Sequence, residues 1–263
     1  MTVLDQEAIR DVLPHRDPIL MLETATINEE GQEVAATATP IQIPEVTPFS
    51  LRLNSWDTIE NRLNAQQYVN GDEPGFSGHF PQPIGPILPG VQQLKLAAIL
   101  SRYCLKSSDE DYSKKLRLEQ IKGFNFTRMV VPGDVLKMNA EKADDWYETN
   151  ASVDGQLAFK GRLQLASVET DEPTISLELL VEAMAQLVAV VGLSQPENRG
   201  KTPLFASIRS MHFVRDIPVG EELLLEAMPI KQIRTLGFAK VGARSLEDPD
   251  TYIANGEIAF AVQ

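Results

Sequence analysis

Residues Gln120–Leu136 read QIKGFNFTRMVVPGDVL, and residues Ser207–Leu223 read SIRSMHFVRDIPVGEEL. An offset of 87 residues lays Ile121 on Ile208, Phe126 on Phe213, Arg128 on Arg215, Gly133 on Gly220 and Leu136 on Leu223. The same offset, without a gap, lays Leu94–Leu100 on Val181–Leu187, so that Ala98 meets Ala185 and Leu100 meets Leu187. One register shared by two separate elements marks an internal duplication. The copies differ where chemistry is concerned: Lys95 aligns with Glu182, and His79 has no counterpart.

Around the repeat, apolar residues recur with period two. Gly123–Met129, Val135–Glu141, Trp146–Val153 and Gln156–Ala166 predict an antiparallel meander, with turns at Pro132–Gly133 and Asp154–Gly155. Phe205–Val214, Glu222–Ile230, Gly237–Ser245 and Tyr252–Val262 repeat it. A helix precedes each meander, Val91–Tyr103 in the first copy and Ile175–Gly192 in the second, the latter stopped by Gly192 and Pro196. A helix and four strands, twice over, is an α+β arrangement with two antiparallel sheets, each wrapping a central helix. The units are residues 1–168 and 174–263, packed as an internal pseudo-dimer. Ahead of the repeat, Leu4–Leu13 reads as a short helix, and Ile19–Ile27 and Gln32–Thr39 as strands joined by a turn at 28–31. Pro40, Pro44 and Pro48 interrupt the start of the stretch Pro40–Glu73, which ends with a further strand at Leu63–Val69.

A net charge of −13 disfavours a nucleic-acid partner and adhesion to an anionic membrane. A single cysteine, Cys104, rules out an intrachain disulfide and fits a reducing, cytoplasmic setting. The N-terminus has no secretion-signal pattern. Ile175–Leu193 approaches the length of a membrane span, but Glu178, Glu182 and Gln186 interrupt it and a buried helix is the better reading. No phosphate loop, metal-ligand cluster or dinucleotide fingerprint is present, so neither metal nor cofactor is expected.

Glu178, Glu182 and Gln186 fall at i, i+4 and i+8, one stripe along an apolar helix that either meets solvent or lines a cavity. Glu182, mid-helix between small and apolar neighbours, would hold a proton near neutrality if desolvated, as a general acid must. His79 lies in a loop stiffened by Gly78, Pro81, Pro86, Pro89 and Gly90, which gives an imidazole a defined aim. Gly90 opens the following helix, where unpaired N–H groups can polarise a carbonyl oxygen. His212 reads as a sheet-face residue, and Cys104 as inert.

In order and type, Leu13-Pro14-His15-Arg16, Gly78-His79-Phe80-Pro81, Pro86-Ile87-Leu88-Pro89-Gly90-Val91, Phe126-Thr127-Arg128 and Pro132-Gly133-Asp134 resemble the motifs of bacterial-type β-hydroxyacyl-ACP dehydratases of the hotdog superfamily. Val181-Glu182-Ala183-Met184-Ala185-Gln186 resembles that family's catalytic helix motif. The resemblance implies a double hotdog whose active site combines a histidine from one unit with an acid from the helix of the other. It implies His79 and Glu182 as the catalytic pair, and a structural role for His15. Gly90, Val91, Phe80, Val181, Met184, Ala185 and Gln186 are then expected to bind substrate. The second copy lacks the HFP loop and has Ser176 where Pro89 would align, so the mirror site should be dead. The stretch Pro40–Glu73 has no family counterpart and is a candidate for the second copy's missing front strand.

The function so implied is reversible dehydration of 3-hydroxyacyl thioesters to trans-2-enoyl thioesters, in fatty-acid or polyketide-like metabolism. The carrier would be acyl carrier protein or coenzyme A. The alternatives are an acyl thioesterase on the same fold and a non-catalytic acyl-binding or assembly subunit; further homo-oligomerisation stays open. Lys114, Lys115, Arg117, Lys122 and Arg128, and separately Arg209, Arg215, Lys231 and Arg234, are the basic clusters to which an acidic carrier could dock.

Overall fold

The computed structural model describes residues 2–17, 19–27, 34–38, 57–59, 62–71, 76, 79, 85–108, 115–168, 172–195, 198 and 200–263. In chain order the elements begin with β1 (Thr2–Leu4), α1 (Gln6–Val12), β2 (Ala25–Ile27), β3 (Val34–Ala38), β4 (Asp57–Ile59) and β5 (Arg62–Tyr68). The first repeat follows as α2 (Gly90–Ser108), β6 (Leu116–Phe126), β7 (Val135–Ala143), β8 (Trp146–Val153) and β9 (Gln156–Ser167). The second is α3 (Leu177–Ser194), β10 (Pro203–Phe213), β11 (Leu223–Ile233), β12 (Leu236–Ser245) and β13 (Tyr252–Val262).

The repeated stretch folds the same way twice because the same local devices recur. At the turn after each copy's first long strand, a glycine takes positive φ, Gly133 at 93° and Gly220 at 90°. An arginine then clamps an acid across the turn. Arg128 Nη2 lies 3.2 Å from Asp134 Oδ1, and Arg215 Nη2 lies 2.6 Å from Glu221 Oε1. Asp154 and Gly155, both at positive φ, close the β8–β9 hairpin tightly.

The two halves merge through β6 and β10 into one sheet of the order β1-β2-β3-β11-β12-β13-β10-β6-β9-β8-β7-β5-β4. Their seam is self-complementary. Ile208 pairs with Phe124 while Met211 pairs with Ile121, and Ser207 pairs with Asn125 while His212 pairs with Gln120. Under the 87-residue offset each pair maps onto its companion, the mark of a two-fold interface. α2 packs on β5, β7, β8 and β9, and α3 on β3, β10, β11 and β12, with the two helices in contact. α3 is long and apolar enough to cross a bilayer, but its side chains are buried within the fold.

The outer strands correct two expectations. β5, from the stretch Pro40–Glu73, pairs with β7 of the first half, Leu63 opposite Ala140. The strand completing the second half is β3, which pairs with β11, Leu225 opposite Ala36. The N-terminal segment, assigned by sequence to the unit 1–168, therefore reaches across to the second half of the sheet, so sequence units and sheet halves do not coincide. β7 and β11 present equivalent edges, and only long-range pairing decides which flanking strand covers which. The expected strand at Ile19–Ile27 is likewise shorter, beginning at Ala25. The turn at 28–31 lies outside the described residues.

Candidate active site

The crossing of the N-terminal segment brings its chain against α3. Gln186 is the fastener: its Nε2 donates to the Ile19 carbonyl at 2.7 Å, and its Oε1 accepts from the Met21 N–H at 2.9 Å. The same Nε2 donates to Glu182 Oε1 at 3.0 Å. Held this way, His15 comes within 3.6 Å of Glu182 (Nε2 to Oε1), and its ring lies 5.4 Å from that of His79.

His79 and Glu182, from different repeats, line one cavity of about 460 Å³ together with His15, Gly90, Ala185 and Gln186. Phe126 and Phe205, with ring centroids 5.1 Å apart, wall it beside Gly90. A Cβ on Gly90 would come within 3.2 Å of both rings, so any larger residue would press the two rings aside.

The protonation states follow from burial. Glu182 is pushed up to about 7 by desolvation, opposed by the hydrogen bond from Gln186. His79 is lowered to about 4 by desolvation, opposed by its contact with the Ile87 carbonyl. His15 is lowered to about 3 by desolvation, then by the neighbouring His79 and Arg16. Both imidazoles are thus neutral near pH 7. The 3.6 Å contact of His15 with Glu182 is then no ion pair, and it is longer than a hydrogen bond. His79 Nδ1 lies 3.0 Å from the Ile87 carbonyl oxygen. A carbonyl can only accept, so Nδ1 carries the proton and the basic lone pair is on Nε2. A neutral imidazole and a protonated carboxyl facing one apolar space form an acid–base pair set for proton exchange.

The other expected contacts divide. Gly90, Ala185 and Gln186 line the cavity. Val91, Val181 and Met184 do not: they are buried in the core, because the α2 and α3 faces that carry them turn toward the sheet. Phe80 lies outside the described residues. Gln186 fastens the N-terminal segment, and its amide hydrogen bonds are spent there and on Glu182. Of the stripe on α3, Glu178, Glu182 and Gln186 are all buried rather than solvent-facing. His15, read from sequence as structural, lines the cavity; its place in a chain with three histidines was the available signal. His212 is an exposed strand residue. Cys104 is buried, and desolvation raises its thiol pKa, which suits packing better than nucleophilic attack. Half of the described members of the basic clusters face a carboxylate. Arg117 faces Asp216, Arg128 Asp134, Arg209 Glu257 and Arg215 Glu221, while Lys114 lies outside the described residues.

A family model described as ApeI-like, ApeI dehydratase, matches residues 55–162, which include His79 and stop short of Glu182. The 3-hydroxyacyl-acyl-carrier-protein dehydratase FabZ of Staphylococcus aureus is 29% identical over 170 residues, covering 63% of this chain and 95% of the relative. Among solved structures, the dehydratase domain of RzxB from Pseudomonas fluorescens superimposes with a TM-score of 0.55 at 12% identity, over 79% of this chain and 97% of that one. The dehydratase domain from the CurF module of the curacin polyketide synthase does so with 0.52 at 13%, over 80% and 97%. A chain described as an oleoyl thioesterase from Lactobacillus plantarum shares the fold too, at 0.53 and 8% identity, over 76% and 96%, so the frame alone does not choose a reaction. The family model that spans His79 and the FabZ relatives do distinguish within that frame, and both make the chain similar to β-hydroxyacyl dehydratases.

Proposed function

We propose that this protein catalyses the reversible dehydration of 3-hydroxyacyl thioesters to trans-2-enoyl thioesters, with His79 and Glu182 as the catalytic pair. The observation that carries this reading is a neutral His79 and a raised-pKa Glu182 lining one cavity. His79 Nε2 removes a proton from C2. The C2–H electrons form the C2–C3 double bond as the C3–O bond breaks, and Glu182 protonates the departing hydroxyl, which leaves as water. The N-terminal end of α2 at Gly90 faces the developing charge on the thioester oxygen. Gln186 holds Glu182 in register with the histidine, and His15 packs beside it.

The carrier is an acyl carrier protein or coenzyme A thioester in a cytoplasmic setting, and acid–base chemistry needs no cofactor. Val188 and Phe260 line both the active cavity and a neighbouring one of about 500 Å³, so they form the partition between the two. The Phe260 ring sits between two glycines; a Cβ on Gly192 or Gly237 would lie 2.8 or 2.3 Å from it. Acyl chains long enough to reach this ring are the ones it limits.

A spectrophotometric assay of enoyl-thioester hydration tests the reading. Both directions use the state in which the pair shares one proton: neutral His79 with protonated Glu182 for dehydration, the reverse for hydration. Activity therefore rises through about pH 4 and falls through about pH 7. Glu182→Gln is expected to lose roughly 10²- to 10⁴-fold in turnover. Release of free thiol from saturated acyl thioesters, with no hydration, would instead make the chain a thioesterase, and no turnover of either substrate an acyl-binding subunit.

A further inference from the structure

The duplication that made the active cavity also made its twin. A cavity of about 710 Å³ lies between α2 and the start of the second repeat. The 87-residue offset carries the lining of one onto the lining of the other: Lys95 stands for Glu182, Leu118 for Phe205 and Ile175 for Leu88. It also puts Arg102 in place of Ala189, Arg117 in place of Leu204 and Asp216 in place of Met129. No histidine lines the twin among the described residues. The space has been kept while its chemistry has been exchanged.

Among the described residues, four cations, Lys95, Arg102, Lys115 and Arg117, face three carboxylates, Glu172, Glu178 and Asp216. Two of the cations are committed to the walls. Arg102 lies 3.8 Å from Glu178 and donates to the Leu116 carbonyl at 3.1 Å. Arg117 lies 3.8 Å from Asp216 and donates to the Phe213 carbonyl at 3.1 Å. Half-buried Lys95 has no carboxylate within 4.0 Å among the described residues, and Ile99, Leu116, Ile175 and Leu177 give the same cavity an apolar wall. A lone ammonium beside an aliphatic wall matches a singly charged head on an apolar tail.

We infer that the twin cavity is a binding site for an aliphatic monocarboxylate, its head on Lys95 and its tail along the wall of Ile99, Leu116 and Ile175. This site stands apart from the proposed dehydration, and its test reads binding alone. Calorimetric titration of the full chain with octanoate should saturate. Lys95→Met, which keeps the stem and removes the charge, should weaken binding at least tenfold, while Lys95→Arg should stay within about threefold of wild type. Inorganic phosphate, an anion with no tail, and octan-1-ol, a tail with no charge, should each bind at least tenfold more weakly than octanoate. Absence of saturation, equal affinity in Lys95→Met, loss in Lys95→Arg equal to that in Lys95→Met, or binding of either partial probe as tight as octanoate would each overturn the inference.

Discussion

The cavity proposed to be active and its twin are related by the 87-residue offset, and their differences separate what a hotdog pair needs for folding from what the proposed chemistry needs. Both keep the helix, the seam strands and the Arg–acid clamp at the turn, Arg128–Asp134 in one copy and Arg215–Glu221 in the other. Those parts hold the sheet. Of the two cavities, one is lined by both a histidine and a carboxyl among the described residues, and they come from different copies. The first cavity also carries the N-terminal segment fastened by Gln186, which brings His15 beside Glu182 and has no counterpart at the twin among the described residues. Desolvation by burial is why Glu182 holds its proton up to about pH 7.

The sharpest way to break the comparison is to remove the histidine and try to rebuild the acid on the other side. His79→Ala should lower hydration turnover roughly 10²- to 10⁴-fold, with His212→Ala unchanged as an exposed control. Adding Lys95→Glu to His79→Ala should restore nothing, because an acid without an imidazole cannot exchange the C2 proton. Recovery of turnover in the double variant would show the twin to be a latent site.

The buried acid should also be visible in stability. Its ordinary pKa of 4.5 rises to about 7 on folding, so the folded chain keeps a proton that the unfolded chain sheds in this window. That contribution is whole below pH 4.5 and is lost as pH rises through about 7. Glu182→Gln should therefore outlast wild type in denaturant above pH 7 by about 3 kcal/mol, and the gap should close below pH 4.5. A constant difference across pH would mean that Glu182 is not desolvated.

Smaller effects sharpen the same contrast. Gln186→Leu leaves the Ile19 carbonyl and Met21 N–H without their partner and should cost about 2 kcal/mol in denaturant melts. Exchange of the 19–21 amides should quicken in this variant, while β10 and β11 stay protected. Phe260→Ala, which opens the partition, should raise turnover of long over short enoyl thioesters by about fivefold. An unchanged chain-length profile would mean that the two cavities do not communicate.

Much of this molecule was legible as sequence because its information is local or repeated. Period-two runs placed the strands β7, β8, β9, β12 and β13 within a few residues, and the apolar run of α3 announced a buried helix. The offset of 87 set Lys95 against Glu182 without any coordinates. Tertiary structure decided what depends on contacts between distant residues. β7 and β11 offer like edges, so which flanking strand pairs with which is set by chain path and packing. The roles of His15 and Gln186 follow from that choice, since bonds spanning 165 and 167 residues leave no periodic trace. The same holds for the burial that makes Glu182 an acid. A carboxyl's charge is written in its residue type, but its pKa belongs to what the fold packs around it.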